Sequence, residues 1–174
     1  MDLNTVNAMS YGHFMDIFGN IIEKCPLITG AVWSKHPFSS FPELENCVYE
    51  FIDSLPPSGK EGILRCHPDL AGRELMSGTL TSESQHEQRQ AGLTSLSQAD
   101  RERLTLLNYQ YKEKFGFPFV ICAKMSDRNK IMEELSSRLQ NEKDEELQTG
   151  IAEVKKICHL RLQDIFVKAV PTKL

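Results

Sequence analysis

The sequence predicts an all-α protein, a single helical bundle formed by one domain. Apolar residues recur at helical spacing over most of the 174 residues, and proline or glycine marks the ends of those stretches. The composition agrees with this class, because 40% hydrophobic and 25% charged residues are ordinary values for a globular domain. No repeat or linker divides the chain, so we expect one domain over residues 1–170 and a short tail at 171–174.

In the first half of the chain, apolar spacing and prolines predict three helices. The first is indicated by five apolar residues at helical spacing, namely Phe14, Ile17, Phe18, Ile21 and Ile22. Pro26 marks its end, and the proline-rich stretch that follows predicts loops. A short helix over residues 43–54 stops before Pro56, and another begins near Ser58 and runs into Cys66.

The second half predicts three more helices and one ambiguous apolar segment. A helix that begins at Asp100 ends at Gly116. Its apolar face comprises Leu104, Leu107 and Tyr111. The run FPFVICA is a candidate strand or buried loop. Asp127 is expected to cap the next helix, and a long final helix spans residues 142–169.

Charge and cysteine usage exclude several classes of protein. The chain has 20 Lys and Arg against 24 Asp and Glu, a net charge of −4, and no basic stripe, which argues against nucleic acid as a partner. The N-terminus lacks the pattern of a secretory signal, and no apolar run reaches the roughly 18 residues that a membrane span needs. The five cysteines are odd in number and have no C-x-x-C pair, so we expect reduced thiols.

The last three residues resemble a targeting signal. Thr172-Lys173-Leu174 is a looser version of the C-terminal Ser-Lys-Leu that a peroxisomal import receptor reads. The tail therefore predicts the import receptor as a partner and the peroxisome as the location.

The segment CHPDL contains the first candidate for chemistry, His67. Pro68 disfavours a helix at the residue before it, so the preceding helix should end near His67. An imidazole at that position can exchange a proton near neutral pH, or it can simply cap the last carbonyls of the helix. A metal site is the weaker interpretation, because Cys66 and His67 are adjacent and no other ligand pair has zinc-site spacing.

The second candidate is the polar segment TSESQHEQRQAGL. On a helix, Ser84, Glu87, Gln88 and Ala91 share one face, which would carry a hydroxyl, a carboxylate and an amide. Such a face suits a polar small molecule. The alternative is a capping box, in which Ser84 is the N-cap and Glu87 bonds a backbone amide.

The third candidate is Arg161 in the last helix. Its position falls on the apolar stripe of that helix, and a buried guanidinium there would need a carboxylate or a urea-like ligand as its partner. In the alternative, Arg161 extends outward to solvent while its neighbours pack.

Taken together, these segments resemble the 2-oxo-4-hydroxy-4-carboxy-5-ureidoimidazoline (OHCU) decarboxylase family. The resemblance is carried by HPDL, SQHEQRQAGL and NYQYKEKFGFPFVIC in this order, with FGNIIEKCP before them and LRL around position 161. It implies an all-α bundle of the family's own type that forms a homodimer. It also implies a small-molecule substrate, decarboxylated to (S)-allantoin in the last step of urate degradation, without a metal or organic cofactor.

The resemblance also implies a set of site residues. His67 and Glu87 are the expected catalytic pair. The expected substrate-binding residues are Pro68, Ser84, Gln85, His86, Glu87, Gln88, Phe119, Val120, Ile121, Cys122, Ala123 and Arg161. Two other functions stay open at this point, a non-catalytic helical interaction module and a metal-dependent ureide hydrolase. The first would need an exposed apolar groove, and the second a bound zinc or manganese ion.

Overall fold

The computed structural model describes residues 1–168, and these form two compact units. One unit comprises Met1–Pro56 together with residues 155–168, and the other comprises Pro57–Val154. The regular structure of the described residues is helical throughout, as the sequence predicts. The tail tripeptide Thr172-Lys173-Leu174 lies outside the described residues.

The first unit begins with four helices. They are α1 (Leu3–Asn7), α2 (Tyr11–Phe18), α3 (Pro26–Trp33) and α4 (Phe41–Asp53). Ser10 and Ser40 cap α2 and α4, because each hydroxyl accepts a bond from the amide of the third residue after it. Helix α3 packs against both α2 and α4. Fully buried residues form its core, among them Phe14, Phe18, Leu44, Val48 and Ile52.

The structure corrects the expected start of this unit. Helix α2 ends at Phe18, and Ile21 and Ile22 are buried in turns rather than in a helix. Pro26 begins α3 instead of ending the helix before it, since a proline is well tolerated in the first helical turn, where its missing N–H is not needed. The stretch expected to be loops therefore contains a helix.

The second unit contains the remaining short helices and the candidate site. Its elements are α5 (Pro57–Arg65), α6 (Arg73–Ser77), α7 (Ser82–Gln90), α8 (Gln98–Phe115), a 3-10 helix (Ala123–Met125) and α9 (Arg128–Arg138). Helix α8 packs on α9, and α7 packs on the 3-10 helix. The last helix, α10 (Lys143–Lys168), starts in this unit, and its residues from Lys155 onward belong to the other.

Several boundaries in the second unit agree with the sequence predictions. Gly116 ends α8 with a left-handed φ of 78°, and the Asp127 carboxylate accepts from the Lys130 amide at the start of α9. The FPFVICA run is a buried loop rather than a strand, and it leads into the 3-10 helix. Within residues 1–168, no helix has both the length and the apolar character that a bilayer span requires.

Candidate active site

His67 lies two residues after the last residue of α5 and is 9% exposed. Its Nδ1 is 2.9 Å from the carbonyl oxygen of Ile63, in the last turn of that helix. A carbonyl can only accept, so Nδ1 carries the hydrogen and Nε2 carries the lone pair of the neutral ring. The capping interpretation is therefore correct for Nδ1. This bond fixes the tautomer of the imidazole ring and leaves Nε2 as its basic nitrogen.

A second His-Pro pair in the chain gives a useful reference. His36 follows α3 and precedes Pro37, and its Nδ1 bonds the carbonyl oxygen of Trp33. Its ring also packs on the Trp33 indole, with 4.6 Å between ring centroids. The capping geometry alone therefore does not distinguish His67. His67 differs from His36 in its surroundings, namely the bonded segment that follows it and the cavity that opens beside it.

The segment after His67 is held by Gln88 of α7. Its Oε1 accepts from the Ala71 amide at 3.0 Å, and its Nε2 donates to the Asp69 carbonyl at 3.4 Å. Ala71 has a left-handed φ of 53°, which strains a residue with a Cβ, so these bonds oppose a real conformational cost. Asn108 of α8 adds a 3.0 Å bond to the Leu70 carbonyl. Together they fix the HPDL segment.

Helix α7 presents the polar face that the sequence predicts. Ser84 and Gln88 are buried and Glu87 is half-buried, whereas His86 lies on the exposed side of the helix. The capping-box alternative is wrong, because the N-cap is Thr81, whose hydroxyl accepts from the Ser84 amide. Ser84 and Glu87 are therefore interior helix positions.

Gln85 lies at the edge of the same face. Its Oε1 is buried and has no hydrogen-bond partner within residues 1–168. A buried amide oxygen usually accepts a bond, so this atom is available to a ligand.

The loop Phe119–Ala123 is buried over its whole length. The Cys122 amide donates to Glu153 Oε1 at 3.4 Å, and the Cys122 carbonyl accepts from the Ser126 hydroxyl at 3.0 Å. Burial raises the pKa of the Cys122 thiol, and the nearby charges of Glu153 and Glu87 raise it further. Glu87 belongs to α7, which packs on the 3-10 helix at the end of this loop.

A cavity of about 1210 Å³ opens beside His67 and Pro68. Four cationic side chains line it, namely Arg65, Arg73, Arg101 and Lys112, against the two acidic residues Asp69 and Glu74. Lys112 is paired with Asp69 at 2.9 Å. The excess of positive charge favours the approach of an anionic small molecule to this side of the second unit.

Arg161 belongs to the first unit, and its exposure of 5% overturns the interpretation in which it extends to solvent. Its Nη2 is 3.3 Å from Glu23 Oε2, and its Nη1 donates to the Asn20 carbonyl at 2.9 Å. The need for a buried partner is therefore confirmed. A substrate contact of Arg161 stays a prediction.

Sequence reasoning missed the residues that hold the site in place. Asn108, Arg138 and Glu146 are buried polar residues whose partners lie 5 to 38 positions away. Asn108 and Arg138 do share helix faces with apolar core residues, Leu104 and Leu135 among them. A polar residue on an apolar face was the one available signal. Within residues 1–168, no group of three or more His, Cys, Asp or Glu is arranged to hold a metal ion.

The fold and the site define a helical protein with a buried imidazole of fixed tautomer and, in the same unit, a polar helix face packed beside a buried loop. Comparison with known proteins agrees. Residues 7–163 match the family model described as OHCU decarboxylase. The chain is 71% identical to the OHCU decarboxylase of Xenopus laevis, over 100% of both chains. It is 62% identical to that of Mus musculus, over 95% of this chain and 93% of the other.

Solved structures show the same fold. A crystal structure of an OHCU decarboxylase in the presence of (S)-allantoin has a TM-score of 0.69 at 21% identity, covering 86% of this chain and 96% of the other. A crystal structure of (S)-allantoin synthase has a TM-score of 0.76 at 19% identity, covering 95% of this chain and 53% of the other. The chain belongs to the OHCU decarboxylase family.

Proposed function

We propose that this protein decarboxylates OHCU to (S)-allantoin, the last step of urate degradation to allantoin, without a cofactor. Full-length similarity to relatives of that name supports the activity. The observation that carries the proposal in this chain is the buried imidazole of His67, whose Nδ1 is committed to the Ile63 carbonyl and whose Nε2 is therefore basic.

The substrate supplies its own electron sink. Its C4 bears a hydroxyl and a carboxylate and is bonded to C5 of a ring C=N group. When the carboxylate leaves as CO2, the electrons of the broken bond form a C4–C5 double bond, and the ring nitrogen takes a proton. The hydroxyl then loses its proton to become the C4 carbonyl, and C5 gains one. The anion and one proton thus give neutral allantoin and CO2, so the protein must supply orientation and proton transfer.

His67 is suited to the proton transfer. Nε2 accepts the proton of the C4 hydroxyl, and the imidazolium can return it to one face of C5. Positioned acid–base assistance of this kind is typically worth on the order of 100- to 10,000-fold in rate. The Ile63 carbonyl holds the ring orientation in both protonation states, because Nδ1 donates to it in each.

Glu87 and the loop Phe119–Ala123 are proposed to bind the ureido group and the ring. Since the Ile63 carbonyl already fixes the tautomer of His67, the role that we propose for Glu87 is to accept the ureido N–H groups. Ser84 and the Gln85 oxygen lie on or beside the same helix face and add a hydroxyl and an acceptor. The Gln88 amide holds the HPDL backbone and acts through that segment.

The test generates OHCU from urate in situ and follows the optical activity of the product. We expect wild-type protein to accelerate the reaction and to give a single enantiomer. His67→Asn should keep the melting temperature close to wild type and lose about 100-fold or more in turnover. His36→Asn is the matched control, because it removes a capping imidazole before a proline in the first unit and should leave turnover unchanged.

Three results would contradict the proposal. Racemic product at the spontaneous rate with wild-type protein would exclude the decarboxylase activity and favour an interaction module. Near-normal turnover by His67→Asn would exclude His67 as the proton-transfer group. Loss of turnover on treatment with a chelator, restored by zinc or manganese, would favour the hydrolase alternative.

We also propose a homodimer imported into peroxisomes through Thr172-Lys173-Leu174. The tail matches the import signal in its last two residues, and the homodimer is what the family resemblance implies. A fluorescent protein fused ahead of the full chain should enter peroxisomes and become cytosolic when the last three residues are deleted. Sedimentation of the purified chain gives the oligomeric state, and a monomer would contradict the dimer.

A further inference from the structure

Arg138, at the end of α9, is an arginine in the interior of the second unit. It is 4% exposed, and its Nε is 2.7 Å from Oε1 of Glu146, which is fully buried. Tyr111 donates to the same carboxylate oxygen at 2.6 Å, and Asn141 donates to the other oxygen at 2.9 Å. The carboxylate thus accepts three bonds from three different elements of chain, which leaves it one well-defined position.

The guanidinium of Arg138 contacts the candidate substrate loop in two ways. Its Nη1 donates to the Val120 carbonyl at 2.8 Å. Its central carbon lies 4.4 Å from the centroid of the Phe119 ring, within cation–π range. The ring of Phe119 also meets Tyr111 edge to face, with 5.5 Å between centroids. The same cluster therefore holds both a backbone oxygen and a side chain of the loop.

Stability alone does not explain such a cluster. Burying an ion pair costs desolvation energy that apolar residues of similar volume avoid, and replacing the pair with such residues is often neutral or stabilising. One terminal nitrogen, Nη2 of Arg138, is buried and has no hydrogen-bond partner within residues 1–168, which adds to the cost. What an apolar core cannot supply is a directed bond to the Val120 carbonyl.

We propose that the cluster formed by Arg138, Glu146 and Tyr111 positions the loop Phe119–Ala123 for substrate binding. The inference rests on the proposed function, in which this loop holds the ring and the ureido group. The Val120 carbonyl is occupied by Arg138 and the Cys122 amide by Glu153. The cluster therefore acts as a set of positioning residues, which reach the substrate only through the loop.

The test is the double variant Arg138→Met with Glu146→Gln. Met fills much of the space of the arginine stem without the bond to Val120, and Gln removes the buried charge while it can still accept from Tyr111. We expect cooperative unfolding with a melting temperature near that of wild type. The KM should rise on the order of 10-fold with a smaller change in kcat, because the loop binds non-reacting parts of the substrate in ground and transition states alike.

Hydrogen exchange provides a readout that does not depend on turnover. In the double variant, the amides of residues 119–123 should exchange about 10-fold faster, while those of α2 and α4 keep their rates. Tyr111→Phe is the milder variant, and Tyr49→Phe is its matched control. Tyr49 also donates to a glutamate, Glu45, and to the Lys155 carbonyl at 3.0 Å, but within the first unit. Only Tyr111→Phe should raise KM.

The outcomes separate this inference from the proposed function. Wild-type protein without turnover would overturn the proposed function and the substrate role of the loop with it. An active wild type, together with variants that keep both KM and loop exchange rates, would overturn the positioning role alone. If the double variant does not fold, the positioning role is tested by comparing the KM of Tyr111→Phe with that of Tyr49→Phe. Equal KM values would show that the cluster does not position the loop.

Discussion

Each of the two units contains a buried arginine–glutamate pair, and the two pairs are built differently. Arg138 and Glu146 in the second unit are 2.7 Å apart, with side-chain exposures of 5% and 0%. Arg161 and Glu23 in the first unit are 3.3 Å apart, with exposures of 5% and 1%. Burial is thus nearly equal, whereas the contact between the two charges is much closer in the second unit.

The surroundings explain the difference. Glu146 is fixed by Tyr111 and Asn141 at 2.6 and 2.9 Å, so the shorter pair has one tightly defined geometry. The Arg161–Glu23 contact in the first unit is longer, and the bond that Asn20 donates to Glu23 Oε1 is longer as well, at 3.2 Å. Replacing the glutamate by a carboxylate ligand costs less free energy when the arginine–glutamate contact is long than when it is short. We therefore expect the longer Arg161–Glu23 contact to be the easier of the two to replace.

The largest effect on stability is expected when Arg138 is replaced and Glu146, its partner in the shorter ion pair, is kept. Arg138→Met alone leaves the carboxylate of Glu146 buried without its cation, and removing one partner of such a pair costs about 3–5 kcal/mol. Urea denaturation should show this loss, and adding Glu146→Gln should recover most of it. A single variant that loses less than about 1 kcal/mol would mean that Tyr111 and Asn141 hold the carboxylate without help.

A smaller effect on stability is expected for Arg161→Lys. The ammonium can keep the ion pair with Glu23, and the variant loses about one hydrogen bond, worth about 1 kcal/mol. The family resemblance predicts a substrate contact for Arg161, so KM should rise on the order of 10-fold because lysine cannot donate in the same bidentate way. An unchanged KM would make this pair a structural support like the other.

The two ion pairs also show which contacts cannot be predicted from the sequence. Arg161 could be noticed because it interrupts an apolar stripe with helical spacing, but its partner Glu23 lies 138 positions away in a turn. Arg138 lies in the stretch SSRLQN, where its place on the helix face of Leu135 is the one sign of burial and nothing in the sequence indicates its partners. Pairing at that separation depends on tertiary packing, which single-sequence periodicity does not contain.

Helix boundaries that depend only on neighbouring residues were predicted correctly. Asp127 as a helix cap, Gly116 as a helix end and the end of α5 near His67 all depend on residues within one turn, and the structure confirms each. The rule that prolines end helices failed at Pro26, because a proline is equally compatible with the first turn of a helix. The polar face of α7 could be read from spacing, whereas its use of Gln88 to hold Ala71 could not.

The smallest effect that distinguishes the two regions is their response to alkaline pH. Burial and, to a smaller extent, the nearby charge of Glu45 raise the pKa of the Cys158 thiol from 9.0 to about 12, against an opposing effect of the Arg161 charge. In the second unit, burial and the bond to Glu146 raise the pKa of Tyr111 above its ordinary value of 10.0. Both groups keep their protons in the native state at a pH where the unfolded chain releases them, so each stabilises the fold less as the pH rises.

The two groups should therefore act in different pH windows. Between pH 9 and 10 the loss should come from Cys158 and the other buried thiol, Cys122, and above pH 10 Tyr111 should add to it. Each group contributes at most about 1.4 kcal/mol per pH unit to the free energy of unfolding. Urea denaturation at pH 8, 9, 10 and 11 should give a shallower decline for Cys158→Ala than for wild type, while Tyr111→Phe changes the decline only above pH 10. Equal slopes for Cys158→Ala and wild type would mean that water reaches the thiol in the native protein.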